Sequence, residues 1–311
     1  QLYRNIIKMK VAAWISAARL RTLPLSLSGI LVGSAIAIPA DQFNSNIFWL
    51  ALATTLGLQV LSNFANDYGD GVKGTDNDER IGPMRALQSG IITDKEMKKG
   101  IILTSLITAF FALALIYVSF KKDSLFLSLV FIMLGASAIA AAIKYTVGDS
   151  AYGYRGLGDL FVFVFFGLVS VLGVNFLMTK EINTLLLFPA ICIGFLSSAV
   201  LNLNNMRDEN SDRNSNKRTL VVIYGKRFAK IYHLSLILGA FICLLIFLIK
   251  YFTDENPWIF IPLLAFIPLA IHLKKVIKYK DPKGLDPELK KVALSTFALA
   301  ISFFLILLFT N

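Results

Sequence analysis

The sequence predicts an all-α, polytopic membrane protein of nine transmembrane helices with its polar chemistry gathered in loops on one side. Three observations lead there. The 311 residues have a mean hydropathy of +0.66, with 56% hydrophobic and only 16% charged residues, against about 25% charged in a soluble domain. The apolar residues come in blocks of about 18 or more, the length of a membrane span. The basic residues are divided between alternate loops, as the topology of a multi-pass protein requires.

Taken in order, residues 1–22 are basic and amphipathic, with Tyr3, Ile6, Ile7, Val11 and Trp14 among Arg4, Lys8, Lys10, Arg19 and Arg21. They read as an interfacial helix leading into the first span, and no signal peptide is visible. The spans are expected at 23–40, 47–66, 97–120, 125–143, 159–178, 184–206, 229–250, 257–275 and 289–310. Pro24 interrupts the first, and Pro262 and Pro268 interrupt the eighth, which membrane helices tolerate. The whole chain reads as one integral-membrane domain. Two similar four-helix halves, about 23–143 and 159–275, would be followed by a final helix at 289–310.

Of the 31 Lys and Arg residues, 27 fall at the N-terminus or in and within three residues of the segments 67–96, 144–158, 207–228 and 274–291. The other four are Lys121, Lys122, Lys180 and Lys250. The positive-inside rule then places the N-terminus and these loops in the cytoplasm and the C-terminus outside, in an inner or cytoplasmic membrane. The net charge of +11 is therefore a topology signal, and no nucleic-acid partner is expected. Cys192 and Cys243 sit inside apolar helices and read as small buried hydrophobes. His233 and His272 read as isolated, and no zinc-ligand spacing exists.

Two of the positive-side loops are chemically dense. One runs N66-D-Y-G-D-G-V-K-G-T-D76 and on through I81-G-P-M-R-A-L-Q-S-G90; the other runs from L201-N-L-N-N-M-R-D to K217-R-T219. Asn204, Asp208 and Asp212 are four apart, drifting only about 80° around a helix, so they share a face. Asn66 or Asp67 shares a face with Asp70 in the same way. Two acid clusters without Cys or His suit hard cations. Mg²⁺ keeps several waters and is held by few carboxylates together with substrate phosphates. Lys73, Arg85, Arg207, Lys217 and Arg218 lie among these acids, and such cations neutralise phosphate oxygens. A third segment, 144–159, offers Tyr145, Tyr152, Tyr154, Arg155 and Asp159. Its aromatic rings serve either to stabilise a cation or as an interface belt. A transporter would place its charges at mid-membrane on broken helices; here the mid-span positions are almost free of charge.

With N66-D-Y-x-D70, G74-T-D76 and the Asp-rich loop ending K217-R-T-L, the chain resembles the intramembrane aromatic prenyltransferases of the UbiA superfamily. R21-T-L-P, G82-P-M-R-A-L-Q-S-G90, Y145-T and Y154-R-G-L-G-D-L-F-V-F-V-F-F-G167 are similar to the branch that prenylates 1,4-dihydroxy-2-naphthoate. Leu20 stands where that branch has proline, and Asn216 where it has glycine.

The resemblance implies a bundle around a central cavity, capped by the two loops on the cytoplasmic side. It implies two or more Mg²⁺ held by Asn66, Asp67, Asp70, Asn204, Asp208 and Asp212, with Asp76 a ligand or an acceptor-positioning group. Lys73, Arg85, Lys217 and Arg218 would bind the diphosphate of a polyprenyl donor. Tyr68, Tyr145 or Tyr154 would stabilise an allylic cation, and Arg21 or Arg155 would pair with the acceptor carboxylate. The implied reaction is Mg²⁺-dependent transfer of the polyprenyl group to 1,4-dihydroxy-2-naphthoate with loss of the carboxyl group, giving demethylmenaquinone, within membrane lipid. Other acceptors in the superfamily are 4-hydroxybenzoate, homogentisate, chlorophyllide and haem.

Overall fold

The computed structural model describes residues 2–75, 81, 84–121, 124–252 and 257–310, with side chains from residue 8 onward. Helix starts are set by local capping chemistry. α1 (Leu2–Ala18) runs into a left-handed residue, Arg19 (φ 49°), before α2 (Leu23–Ala35). Asn44 caps α3 (Ser45–Val72) by accepting from the Asn46 and Ile47 amides. Thr93 and Glu96 form a reciprocal capping box at α4 (Asp94–Phe120). Ser124 caps α5 (Leu125–Lys144).

The next span is composite. α6 (Gly158–Val162) passes through a π-helical stretch, Phe163–Val169, into α7 (Ser170–Thr179). α8 (Leu187–Arg207) is followed directly by the short α9 (Glu209–Asn214). Thr219 caps α10 (Leu220–Tyr251), which is kinked at Gly225 (φ 79°). A 3₁₀ stretch, Pro257–Ala265, precedes α11 (Phe266–Lys278), and α12 (Asp286–Thr310) closes the chain.

Among the described residues nine helical segments are long and apolar enough to cross a membrane. The chain is an all-helical, integral multi-pass protein, as its sequence predicts. α8 packs against α10, α12 and the π-helical stretch; α2 packs against α3, α7 and α12; α3 packs against α4 and α5. The bundle thus closes around an interior bounded by α2, α3, α5, α7 and α8.

Several boundaries differ from the expectation for physical reasons. The first span is not 23–40 alone: α1 continues across Arg19 into α2, and the candidate span is Lys8–Ala35. α1 is docked, with Trp14 edge-on to Phe64 at 5.0 Å and Lys10 Nζ 2.5 Å from Glu96 Oε1. Pro24 does not interrupt a helix, because it occupies the first turn, where no backbone N–H is needed. Pro268 sits likewise in the first turn of α11, and Pro262 falls in the 3₁₀ stretch, so the eighth span is half 3₁₀. His233 and His272 are not isolated. Their Nε2 atoms are 2.8 Å apart, and His272 Nδ1 is 2.6 Å from Glu288 Oε2, tying α10, α11 and α12 together.

The π-helical stretch packs closely against α8. A Cβ on Gly167 would lie 2.6 Å from the Ala190 carbonyl oxygen and 2.6 Å from Gly194 Cα, both on α8. Small residues that let backbones touch are the usual cement of membrane helices. Because the obstructing atoms are backbone, no side chain can swing aside. Gly167→Val is expected to destabilise the fold by at least about 2 kcal/mol. A thermal melt of the detergent-solubilised protein reads this as a lowered midpoint; an unchanged melt would contradict the packing described.

Candidate active site

The cavity-facing stripe of α3 carries Gln59, Asn63, Asn66 and Asp70, each about one helical turn from the next. Glycines between the polar residues let another segment in. A Cβ on Gly69 would lie 2.5 Å from Thr146 Oγ1 and 2.7 Å from the Thr146 carbonyl carbon. Thr146 donates to the Ala65 carbonyl (2.9 Å) and approaches Asn66 Oδ1 (3.3 Å). Gly69 thus seats the 145–157 segment against the acid motif. From that segment Tyr145 and Tyr152 line the cavity. Tyr154 instead donates from its hydroxyl to Asp70 Oδ1 at 2.7 Å, and its hydroxyl is also 2.6 Å from Thr75 Oγ1.

The second motif faces the first. Asn204 and Asp208 at the end of α8 and Asp212 in α9 line the same cavity. The single continuous helix expected for them is broken at Asp208 (φ −96°, ψ 9°). The amides of Asp208 and Asp212 still bond to the Asn204 and Asp208 carbonyls, so all three side chains reach one space. Arg207 pairs with Asp208 through Nε (2.8 Å) and Nη2 (2.7 Å), and reaches Asn204 Oδ1 (2.8 Å) and Asp286 Oδ1 (2.6 Å).

One ammonium joins the two motifs. Lys217 is 8% exposed, with Nζ 3.8 Å from Asp70 Oδ2 and 3.6 Å from Asp212 Oδ1. Burial alone would lower its pKa, but the charges of Asp70 and Asp212 outweigh burial and raise it. Asp212 is pushed up to about 6 by burial, against the opposing pull of Lys217. Burial and the Asp70 carboxylate also raise the Tyr154 phenol, and burial pushes Tyr145 up to about 12. Both rings are therefore neutral at physiological pH.

Lys217 is preceded by Asn216 in a left-handed conformation (φ 56°). That accounts for the asparagine where glycine is expected, since asparagine tolerates this region better than most residues.

Not every expected site residue is brought together. Asn66, Asp70, Asn204, Asp208, Asp212, Lys217, Arg85, Arg21 and Tyr145 line one cavity. Asp67 lies off the cavity, with Arg19 Nη2 2.7 Å and Arg85 Nε 3.5 Å from its Oδ1. Tyr68 packs in the cluster around α1 and α4, with Lys98 5.3 Å over its ring. Lys73 is exposed and donates to the Thr146 (2.8 Å) and Gly148 (2.9 Å) carbonyls from outside. Arg155 and Arg218 are exposed and do not line the cavity. Asp76 lies outside the described residues. Arg19, Asp286 and Lys290 line the cavity although no motif singles them out.

The cavity has a volume of about 450 Å³, within the range of small-molecule sites. Away from the charged end it continues among Leu58, Leu115, Ile116, Phe131, Phe165 and Val169. Such a space accepts an amphiphile, anion at one end and hydrocarbon along the other. The donors at the charged end are carboxylate and amide oxygens, which fit Mg²⁺. Among the described residues no three acidic, imidazole or thiol groups close on one point.

Residues 26–294 match the UbiA prenyltransferase family. The chain is 43% identical over 282 residues to an Escherichia coli (strain K12) protein named 1,4-dihydroxy-2-naphthoate octaprenyltransferase, covering 91% of this chain and 90% of that one. In structure it is similar to a UbiA homolog from Aeropyrum pernix K1 in its apo form (TM-score 0.70, 15% identity, covering 93% of this chain and 98% of that one). It is also similar to a UbiA homolog from Archaeoglobus fulgidus bound to DMAPP and Mg²⁺ (TM-score 0.64, 14% identity, covering 94% and 99%). At these identities the two structures show a shared fold.

Proposed function

Since the chain belongs to the UbiA prenyltransferase family, we propose that it transfers a polyprenyl group from its diphosphate to 1,4-dihydroxy-2-naphthoate. In the reaction the allylic C–O bond to diphosphate breaks and a C–C bond to the aromatic ring forms. The carboxyl group leaves as CO₂, and the product is demethylmenaquinone in its reduced, quinol form. The observation that carries this reading is the single cavity that joins two facing acid motifs to a hydrocarbon-lined space.

Asn66, Asp70, Asn204, Asp208 and Asp212 would hold two or more Mg²⁺ against the donor's diphosphate. Bound there, Mg²⁺ would neutralise the diphosphate as a leaving group. Lys217, fixed between the motifs, offsets phosphate charge, and Arg207 keeps Asp208 aimed at the cavity. The Tyr145 and Tyr152 rings face the space where positive charge develops on the allylic carbon, and aromatic faces stabilise cations. Tyr154 orients Asp70 instead. Lys73 braces the 145–157 segment. The prenyl chain lies among the apolar side chains, beside membrane lipid. By the distribution of basic residues, the charged end faces the cytoplasm.

The acceptor is tested by offering 1,4-dihydroxy-2-naphthoate, 4-hydroxybenzoate and homogentisate in competition, with one polyprenyl diphosphate and Mg²⁺. Product from the naphthoate should dominate by at least about 100-fold in kcat/KM. A preference for either benzenoid acid would move the assignment to another branch of the family.

A further inference from the structure

Two glycines in the cavity wall are not required by helix packing. Gly135 lies inside α5 and Gly173 inside α7, and both line the cavity. A Cβ on Gly135 would meet the Ala112 Cβ at 3.9 Å, and one on Gly173 would meet Val169 Cγ1 at 3.9 Å. These are ordinary van der Waals distances, and no other described neighbour comes within 4 Å. Other helix glycines differ. A Cβ on Gly57 would fall on the Thr108 side chain, one on Gly33 on the Val171 carbonyl, and one on Gly194 2.7 Å from Phe163 Cδ2. Those glycines let helices touch. Glycine is a poorer helix former than alanine, and at 135 and 173 no helix contact accounts for it. What these two leave empty is cavity.

The two positions are related in space. Phe131, four residues before Gly135, and Phe176, three residues after Gly173, stack with their centroids 5.8 Å apart. Spacings of four and three put each glycine on the same helix face as its phenylalanine, one turn nearer the charged end of the cavity. Phe120 at the end of α4 completes the group, 5.3 Å from Phe131 and 6.5 Å from Phe176. Measured along α5 from Tyr145, Gly135 is at about 15 Å and Phe131 at about 21 Å. The end of the hydrocarbon space remote from the acid motifs is therefore a gap of two missing side chains set against three rings.

We infer that Gly135 and Gly173 are specificity-determining residues for the length of the prenyl donor, holding open the space that the distal part of a long tail fills. This rests on the prenyl transfer proposed above. A short tail, anchored by its diphosphate between the acid motifs, ends before this depth, and a long one must pass it. A side chain at either position would occupy cavity rather than press on a neighbouring helix. It would obstruct the long tail and leave both the diphosphate end and the fold untouched.

The test offers the full-length protein in nanodiscs a mixture of prenyl diphosphates from ten to forty carbons, with 1,4-dihydroxy-2-naphthoate and Mg²⁺, and reads the product lengths by mass. Gly135→Leu and Gly173→Leu should each lower the ratio of the longest to the shortest product at least about 10-fold relative to the wild type. The loss should lie in kcat/KM for the long donors, with that for the shortest unchanged within about two-fold. Gly135→Ala and Gly173→Ala should shift the ratio in the same direction by less, and they carry the test if the leucine variants do not fold. Their thermal midpoints should not fall below that of the wild type, whereas Gly57→Ala, whose Cβ would press on Thr108, should melt lower. Folded variants with an unchanged product distribution, or with an equal loss at every length, would overturn the inference while leaving the reaction intact. A wild type that makes no prenylated product of any length would overturn the proposed function, and this inference with it.

Discussion

Asp208→Ala is expected to lower prenyl transfer by about 100- to 1,000-fold or more, the loss typical of deleting one strong electrostatic contact to a transition state. Asp208 presents its carboxylate to the cavity at the junction of α8 and α9, and Arg207 grips it through two nitrogens at 2.8 and 2.7 Å. The substitution therefore does two things. It removes an oxygen from the proposed metal-binding set, and among the described residues it leaves a buried guanidinium with Asp286 and Asn204. Breaking a buried pair costs about 3–5 kcal/mol, so folding and chemistry must be measured separately. Asp208→Asn keeps an oxygen acceptor for Arg207 and should retain more of the folded protein while remaining nearly as inactive. Single-turnover assays on protein recovered as a monodisperse peak distinguish the two effects. Asp70→Ala should behave similarly, with the added loss of the Tyr154 hydrogen bond (2.7 Å). Folded Asp208→Ala protein with near-normal turnover would remove Asp208 from the metal-binding set.

Lys217→Met should cost about 100-fold in kcat/KM for the prenyl diphosphate, and its signature is a changed pH dependence. Lys217 is what holds the Asp212 pKa down against burial. Without it Asp212 climbs further above about 6. The protonated carboxyl cannot ligate a cation, so the half-saturating Mg²⁺ concentration at neutral pH rises. Because the group is an acid with a raised pKa, raising the pH to 8 should recover part of the variant's metal affinity, and lowering it to 6 should worsen the defect. The wild type should show the same loss of metal affinity only below about pH 6. A variant whose Mg²⁺ requirement is normal at every pH would contradict the role given to Lys217.

Much of the fold and half of the site are legible in the amino-acid sequence. Span count follows from hydropathy, because a bilayer demands a fixed length of apolar helix. Asn66, Asp70, Asn204, Asp208 and Asp212 follow from four-residue spacing. What spacing does not resolve is Asp67 against Asn66. Both pair with Asp70 at helical intervals, yet they lie about 100° apart on α3. Only the position of α1 and the 84–90 loop decides that Asn66 faces the cavity and Asp67 faces Arg19 and Arg85.

Lys73 and Arg218 carry the right charge in the right loops, but a charge count does not tell which side of a loop faces inward. Tyr68 follows Asp67 and so turns away from the cavity. Asp286 and Lys290 at the start of α12 reach the cavity across more than seventy residues of chain from Arg207, and no local pattern announces such a contact. The backbone breaks at Arg19, Asp208 and Gly225 are equally silent, since hydropathy averages over them.

Metal-dependent prenyl transfer is tested by mixing the purified protein in nanodiscs with 1,4-dihydroxy-2-naphthoate and a polyprenyl diphosphate, with Mg²⁺ or with EDTA, and weighing the product. The expected result is a prenylated, decarboxylated naphthoquinol that appears with Mg²⁺ and is absent with EDTA. Equal product in EDTA would contradict the metal-binding role of the two acid motifs, and no prenylated product from folded protein with Mg²⁺ would contradict the proposed reaction itself.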